Sequence, residues 1–444
     1  MNMNQSKILS PLLVFCFLLL EVSGFAIVQP PVDTLLEEVI KPNIDIKEFD
    51  RPSPPSPANT HYLQGMRFLV TDKIDEAIEE FNKALELDER HVPTIIAFAD
   101  VALKQGKIDE AARRCQTAID IAPQNPRLRL AYAQILIAQK KIPEAEKALQ
   151  NVADLSPESP NPRIYLGNFY NLQGKREDAL KEYQAASKLA PQDPRPHIAA
   201  ALTYAKLEQM DKALEEADAL VKVDPQNPVS LTLKGVLYAQ QKQFDASIEL
   251  FKSAIAANYR YYPAHIVLGN SYFELQDHNE AIESYKNAIS IEPKAIRAHM
   301  MLGTAYILKN QPTEATEALE TVLKLNPNVP EAQNNLAWIY AESGENLDEA
   351  IRLAESALKQ TSGYNLQILD TLGWAYYKKG DYNLALEKMT AAAEIGTKDP
   401  TVYYHLGQVY MKTGDQSKAR DAFRQALTLN PNFDKAAEIR AILK

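Results

Sequence analysis

The sequence predicts an all-α solenoid of helix-turn-helix repeats, and three observations carry that expectation. A unit of about 34 residues recurs eleven times between residues 58 and 433, the mark of supersecondary units stacked in a row. Small residues return at two places in each unit: Gly or Ala at the eighth position, from Gly65 and Ala99 to Gly373 and Gly407, and Ala or Ser at the twentieth, from Ala77 to Ala419. A larger side chain there would hold two helices apart. Apolar or small residues also recur three and four apart over two segments of about 13 residues per unit, as in residues 164–191, with Gly174 between the segments.

The elements follow in order along the chain. Residues 1–26 read as an export signal: Lys7, an apolar run over 8–20, the helix-breaking pair Ser23 and Gly24, and the small Ala26. The competing reading is an uncleaved anchor, but the run is 13 residues before Glu21 interrupts it, and a span needs about 20. Lys7 stays on the inner side in both readings, so both export the repeats and leave membrane proximity open. Cys16 follows Phe15, where a lipid-attachment site needs a small residue. Residues 27–57 hold Pro30, Pro31, Pro42, Pro52, Pro54, Pro55 and Pro57 and read as a semi-rigid linker. Within it, residues 32–40 can form a short amphipathic helix or stay disordered.

The repeats then run 58–91, 92–125, 126–159, 160–193, 194–227, 228–261, 262–295, 296–329, 330–365, 366–399 and 400–433, and residues 434–444 read as a capping helix. An aromatic residue recurs at the eleventh position, Phe68 and then Tyr170 through Tyr410, with Ala102 and Leu136 departing from it. Proline closes most units, as at Pro123, Pro157 and Pro191, because it cannot continue a helix. Gly106, Gly174, Gly344, Gly380 and Gly414 mark the turn between the two helices, with Asn310 as a substitute.

This spacing of Leu-Gly, Tyr, Ala, an aromatic, Ala and Pro resembles the tetratricopeptide repeat family over about 85% of the chain. The resemblance implies a right-handed superhelix whose first helices line an inner groove, with positions two, five, nine and twelve facing it. Repeat 6, with Ser247 and Tyr259 in place of Ala and Pro, and repeat 9, with extra residues near Glu345 and Gly363, depart from the pattern, and a local change of superhelical pitch is expected at both.

Composition narrows the partners. The formal net charge of the 444-residue chain is −10 and no basic stripe occurs, so the footprint of a nucleic-acid binder is missing. Cys115 stands where other repeats place large apolar residues and reads as a small core hydrophobe. Seven histidines scatter over different repeats without metal-ligand spacing and read as isolated surface or groove residues. No nucleophile motif or phosphate-cradling loop is found, so the expectation is a protein without catalytic, cofactor or metal sites.

Two partner-binding surfaces follow from the family's groove positions. At position five stand Tyr62, Ile96, Leu130, Ile164, Ile198, Ile266 and Met300, a mostly apolar stripe fit for a helix or extended segment of another protein. In the last repeats Trp338 and Trp374 take position nine, beside Asn334 and Asp370, with Tyr377, Tyr404 and Gln408 extending a second, more polar patch. Both sets would serve equally as packing between neighbouring repeats; exposure separates the readings. The carboxylate clamp that some family members direct at chaperone tails is missing, because Ile164 and Ile266 stand where its Lys belongs beside Asn168 and Asn270. The expected function is a non-catalytic scaffold or adaptor on the extracytoplasmic side of a membrane, similar to repeat proteins of polysaccharide export. The alternative is a substrate-recruiting or regulatory subunit of an envelope enzyme.

Overall fold

The computed structural model describes residues 56–361 and 363–444. The expected export signal and nearly all of the linker lie outside them. The regular structure that is described is helical and divides into two units, residues 56–225 and 226–444. The first unit holds α1 (Pro57–Val70), α2 (Ile74–Leu87), α3 (Val92–Lys104), α4 (Ile108–Ile121), α5 (Pro126–Ala138), α6 (Ile142–Leu155), α7 (Pro160–Leu172), α8 (Arg176–Leu189), α9 (Pro194–Lys206) and α10 (Met210–Val223). The second holds α11 (Pro228–Gln240), α12 (Phe244–Ala257), α13 (Tyr262–Glu274), α14 (His278–Ile291), α15 (Ile296–Leu308), α16 (Pro312–Leu325), α17 (Pro330–Ser343), α18 (Leu347–Gln360), α19 (Leu366–Lys379), α20 (Tyr382–Ile395), α21 (Pro400–Thr413), α22 (Gln416–Leu429) and α23 (Ala436–Leu443). Odd-numbered helices up to α21 are the first of each repeat and even-numbered ones the second.

The start of the first helices uses a signal that the repeat-closing prolines obscured. Pro126, Pro160, Pro194, Pro228, Pro330 and Pro400 each occupy the first helical position, where the missing N–H costs nothing. Asn125, Asp193, Asn227 and Asp399 precede four of them and cap the helix by accepting from a backbone N–H in its first turn.

The turn between paired helices closes in one way in every repeat but the ninth, where the Glu345 N–H donates to Ser343 Oγ at 3.2 Å instead. The sixteenth residue of the repeat donates its N–H to the carbonyl of the eleventh, as in Lys107 to Ala102 at 2.8 Å and Lys175 to Tyr170 at 2.9 Å, the long bond of a Schellman motif. It requires a left-handed fifteenth residue, and the glycines adopt it, from Gly106 at φ 73° to Gly414 at φ 86°. So do Asp72, Lys140, Glu208, Lys242, Gln276 and Asn310, at φ between 55° and 62°. The tertiary pairing overrides the local preference at five positions that carry neither Gly nor Asn.

The two helices of a pair meet where the sequence places small residues, and the structure adds the partner that sets the spacing. A Cβ built on Gly65, Gly167, Gly235, Gly269 or Gly407 would lie 2.5 Å from a ring carbon of Phe81, Tyr183, Phe251, Tyr285 or Phe423 respectively. These rings are among the most buried side chains in the protein. Where position eight is Ala, as at Ala99, Ala133 and Ala201, the facing side chain shrinks to Cys115, Leu149 and Ala217. At these three repeats no ring faces position eight, and at Gly303 and Gly373 the facing side chains are Leu319 and Met389. Burying such a ring contributes about 2–3 kcal/mol per repeat.

Consecutive repeats are joined by the eleventh-position tyrosine. Its hydroxyl reaches the preceding repeat's second helix: Gln150 donates to Tyr170 at 3.2 Å and Gln184 to Tyr204 at 3.0 Å. In the second unit Tyr340 and Tyr376 donate to Glu320 and Glu355 at 3.1 and 2.8 Å. Burial, with the accepting carboxylate adding to it, pushes Tyr340 and Tyr376 up to about 12. In repeat 6, Ser247 keeps its place by bonding Ser271 at 3.1 Å and the Phe244 carbonyl at 2.8 Å. At the end of the second unit, α23 buries Ile439 in a cluster with Tyr404 and Phe423.

Two stability predictions follow. Gly167→Ala destabilises by about 1–3 kcal/mol because its methyl meets Tyr183. In a Tyr183→Ala background the same change becomes neutral or stabilising, since Ala exceeds Gly in helix propensity by about 1 kcal/mol; urea unfolding of the four proteins of the cycle measures the coupling. Lys242→Gly relieves the left-handed strain at φ 60° and raises stability by roughly 0.5–1 kcal/mol, read as a higher urea midpoint for the second unit.

Candidate functional site

Among the position-five side chains, Tyr62, Leu130, Ile164 and Ile198 in the first unit are buried, and Ile96 is half-buried. In the second unit Ile266 and Met300 are buried as well, Ile266 completely. They serve as the seam between neighbouring first helices: Tyr62 packs in one cluster with Ala97 and Val101 of α3, and Met300 with Leu336 and Ala337 of α17. The exposure that a groove lining needs is missing at six of these seven. The reason is that first helices lie close enough, with small residues such as Ala97 and Ala200 between them, to cover one another's fifth position. The exposed large aliphatic side chains of the first helices in the first unit are Leu63, Val70, Leu103 and Leu172, the last three at the helix C-termini.

The aromatic patch of the last repeats is brought together in part, and mostly turned inward. His405, at position six of α21, donates from Nδ1 to Asp370 of α19, with both carboxylate oxygens at 3.0 Å. Trp374 stacks on the His405 ring at 4.1 Å and 17° on one side and on Tyr377 at 4.8 Å and 5°. Its indole N–H donates to Glu342 of α17 at 2.5 Å, and the Lys378 ammonium lies 5.2 Å from the ring centroid. Tyr404 and Gln408 both donate to Glu438 of α23 at 2.9 Å. Asp370, Trp374 and Tyr404 are buried, Tyr377 and Gln408 half-buried. Trp338 and Asn334 sit one repeat earlier, both half-buried, Trp338 packed on the core cluster and the Asn334 Oδ1 enclosed without a partner.

His405, Glu342 and Glu438 escaped the sequence reading, and His405 corrects the expectation of isolated histidines. Its pairing with Asp370 follows from first helices being adjacent, which sets position five beside position six of the next repeat 35 residues on. The remaining histidines serve the repeat in several ways. His61 and His197 meet Glu80 and Glu216 at 2.7 and 2.6 Å, and His265 and His299 reach the carbonyls of Tyr259 and Pro293 six residues back. His91 is buried beside Thr94. Asn168 and Asn270 are likewise occupied, accepting from the buried hydroxyls of Tyr183 and Tyr285 at 2.8 and 2.9 Å.

Two titratable groups of the first unit are shaped by burial. Cys115 is packed with Ala99 and Ala111, and burial, helped by Asp100, pushes its thiol up to about 12, which leaves it protonated and inert. Asp100, at position nine of α3, is half-buried; burial pushes its carboxyl up to about 6 against a weaker pull down from Lys104. Among the described residues no cluster of three or more His, Cys, Asp or Glu could hold a metal ion.

Comparison with known proteins places the chain. Models described as tetratricopeptide repeat match residues 71–135, 102–165, 136–202 and 272–339, then 198–263 and 232–296, then 400–433, and a TPR repeat model matches 373–414. The chain belongs to the tetratricopeptide repeat proteins. It is 30% identical over 108 residues, 24% of its length, to the photosystem I assembly protein Ycf3 of Prochlorococcus marinus strains MIT 9303 and MIT 9313, and spans 57% of the length of each. Among solved structures, it is similar to the APC/C hetero-tetramer Cut9-Hcn1 (13% identity, 88% of this chain and 97% of that one, TM-score 0.49). Yeast Tom70 (14%, 87% and 94%, TM-score 0.38) and MamA (26%, 36% and 95%, TM-score 0.32) also align.

The raised Asp100 carboxyl carries a pH prediction. Its folded pKa of about 6 lies above the ordinary 3.8, so the stability tied to its proton is complete below about pH 4 and is lost as pH rises through about 6. Asp100→Asn is therefore expected to match wild type near pH 4 and to exceed it in urea midpoint by pH 7.

Proposed function

We propose that this protein is a non-catalytic scaffold or adaptor that works on the extracytoplasmic side of a membrane and organises an envelope assembly or export complex, such as a polysaccharide export machine. The observation that supports the reading most is the array of paired helices. In each unit it repeats near-equivalent first-helix faces that differ only in side chains, a surface suited to reading another protein's segment. A scaffold of this kind acts by holding partners at defined spacing, which requires rigid joints between repeats; the tyrosine hydroxyl bonds and buried rings supply them. The Ycf3 relatives carry the name of an assembly protein, and assembly is the role carried over here.

Export rests on the apolar run over residues 8–20 behind Lys7. Among the described residues no helix is long and apolar enough to cross a membrane, so attachment to the membrane falls to that run or to a partner. The partner segments bind along the exposed fringe of the first helices and beside the half-buried Trp338, since the fifth-position stripe is closed.

A fusion of bacterial alkaline phosphatase, which is active only after export, to the C-terminus tests the compartment. The full chain is expected to give active phosphatase and a chain lacking residues 1–26 to lose at least nine-tenths of it. Equal, low activity from both would place the repeats in the cytoplasm and end the envelope reading.

A further inference from the structure

The joint between repeats 2 and 3 departs from the one that follows it. Where repeat 4 follows repeat 3, Glu146 of α6 accepts from the Tyr170 hydroxyl and from Lys175 Nζ, both at 3.0 Å, and Gln150 donates to the same hydroxyl at 3.2 Å. Where repeat 3 follows repeat 2, the cation is kept and its partners are gone. Lys141 stands at the place of Lys175, but Leu136 replaces the tyrosine and Ala112 the glutamate, and Gln116 donates instead to Asp120 of its own helix at 2.8 Å. At this joint a cavity of about 600 Å³ lies between the α3–α4 turn and the α5–α6 turn.

The cavity holds positive charge without counter-charge. Lys107, Arg113 and Lys141 line it, and among the described residues none of these three side chains has an ion pair or a hydrogen bond. The two acids of the wall are engaged: Asp109 accepts from Gln139 Nε2 at 2.6 Å, and Glu110 lies 3.8 Å from Arg114. With Arg114 included, four bases stand against two acids, in a chain of net charge −10. Gln139 adds a second signal, because its Oε1 is enclosed without a partner, an unfavourable state for an acceptor. A small rotation of the amide presents that oxygen to a donor. A bare inorganic anion would satisfy the bases and bring no N–H. An acidic stretch of polypeptide brings both, carboxylates for the cations and backbone N–H groups for Oε1. The volume agrees, since clefts that enclose ligands much larger than one anion measure roughly 300–1,000 Å³.

We propose that the joint between repeats 2 and 3 binds an acidic peptide segment of a partner protein, whose carboxylates pair with Lys141, Arg113 and Lys107 and whose backbone N–H groups reach Gln139. A carboxylate of the ligand takes the place that Glu146 holds at the next joint, so the bound segment ties repeats 2 and 3 together as the internal network ties repeats 3 and 4. The site stands apart from the compartment and pathway proposed above, and a failed export test leaves it intact.

The test titrates the full chain with a hexaglutamate peptide at low salt, where charge pairing is least screened, and follows the heat of binding, with hexaglutamine as the uncharged control. Saturable binding of hexaglutamate and none of hexaglutamine is expected. Arg113→Gln with Lys141→Gln is expected to weaken binding at least tenfold at unchanged helicity. Ala112→Glu supplies the missing carboxylate from within the chain; it is expected to weaken binding at least fivefold while the urea midpoint of the first unit holds or rises, a combination that damage to the fold would not give. Absence of hexaglutamate binding to wild type, equal binding of hexaglutamine, or an affinity indifferent to these three substitutions would overturn the proposal. Inorganic phosphate that binds as tightly as hexaglutamate would overturn it as well, since the site would then be one for a bare anion.

Discussion

Everything in this protein depends on how closely the two helices of a repeat approach. In five repeats a glycine at position eight lets the ring from position twenty-four come within 2.5 Å of where a Cβ would stand, with no room left for a methyl group. Because the ring is wholly buried, its contacts fix both the spacing and the rotation of the pair. The repeats that carry Ala at position eight have no ring at position twenty-four: Cys115, Leu149, Ala217 and Ala354 stand there. Within the array a ring at position twenty-four is thus found only opposite a glycine.

The joints between repeats are polar where the pair contact is apolar. At the interfaces entered by Tyr170, Tyr204, Tyr340 and Tyr376 the hydroxyl reaches Gln or Glu of the preceding repeat, so these joints have a directional bond as well as area, in keeping with the neighbour-to-neighbour character of a solenoid. The same closeness shuts the fifth-position stripe and folds most of the Trp374 patch into a stack with His405, Asp370 and Tyr377. Large aromatics at groove positions are efficient binding anchors only when they are open. Here several are spent on holding the last repeats and the terminal helix together.

The repeat period, the helix pairs and the small residues at positions eight and twenty were legible because each rests on a short-range rule that recurs eleven times. The left-handed turn was legible at Gly106 or Gly414 but not at Lys140 or Glu208, where pairing of the helices imposes a conformation that the residue itself disfavours. The closing prolines were read as helix stops; the prolines that open helices, such as Pro126 and Pro194, lay beside them and passed unnoticed. At the candidate sites the residue types were found and their exposure was not, since burial at position five depends on the neighbouring first helix. The Asp370 and His405 pair joins residues 35 apart, a distance that becomes meaningful only once consecutive first helices are known to be adjacent.

The most direct test of the claim that a ring at position twenty-four needs glycine at position eight is a conversion of the fifth repeat, where Ala201 faces Ala217, into the glycine and ring type. Ala217→Phe alone and Ala201→Gly with Ala217→Phe are compared with wild type by urea unfolding. The single variant is expected to lose about 1–3 kcal/mol through overpacking, and the double variant to recover most of that loss. If Ala217→Phe is tolerated as well as the double variant, the spacing of the helix pair is set by something other than the contact between positions eight and twenty-four.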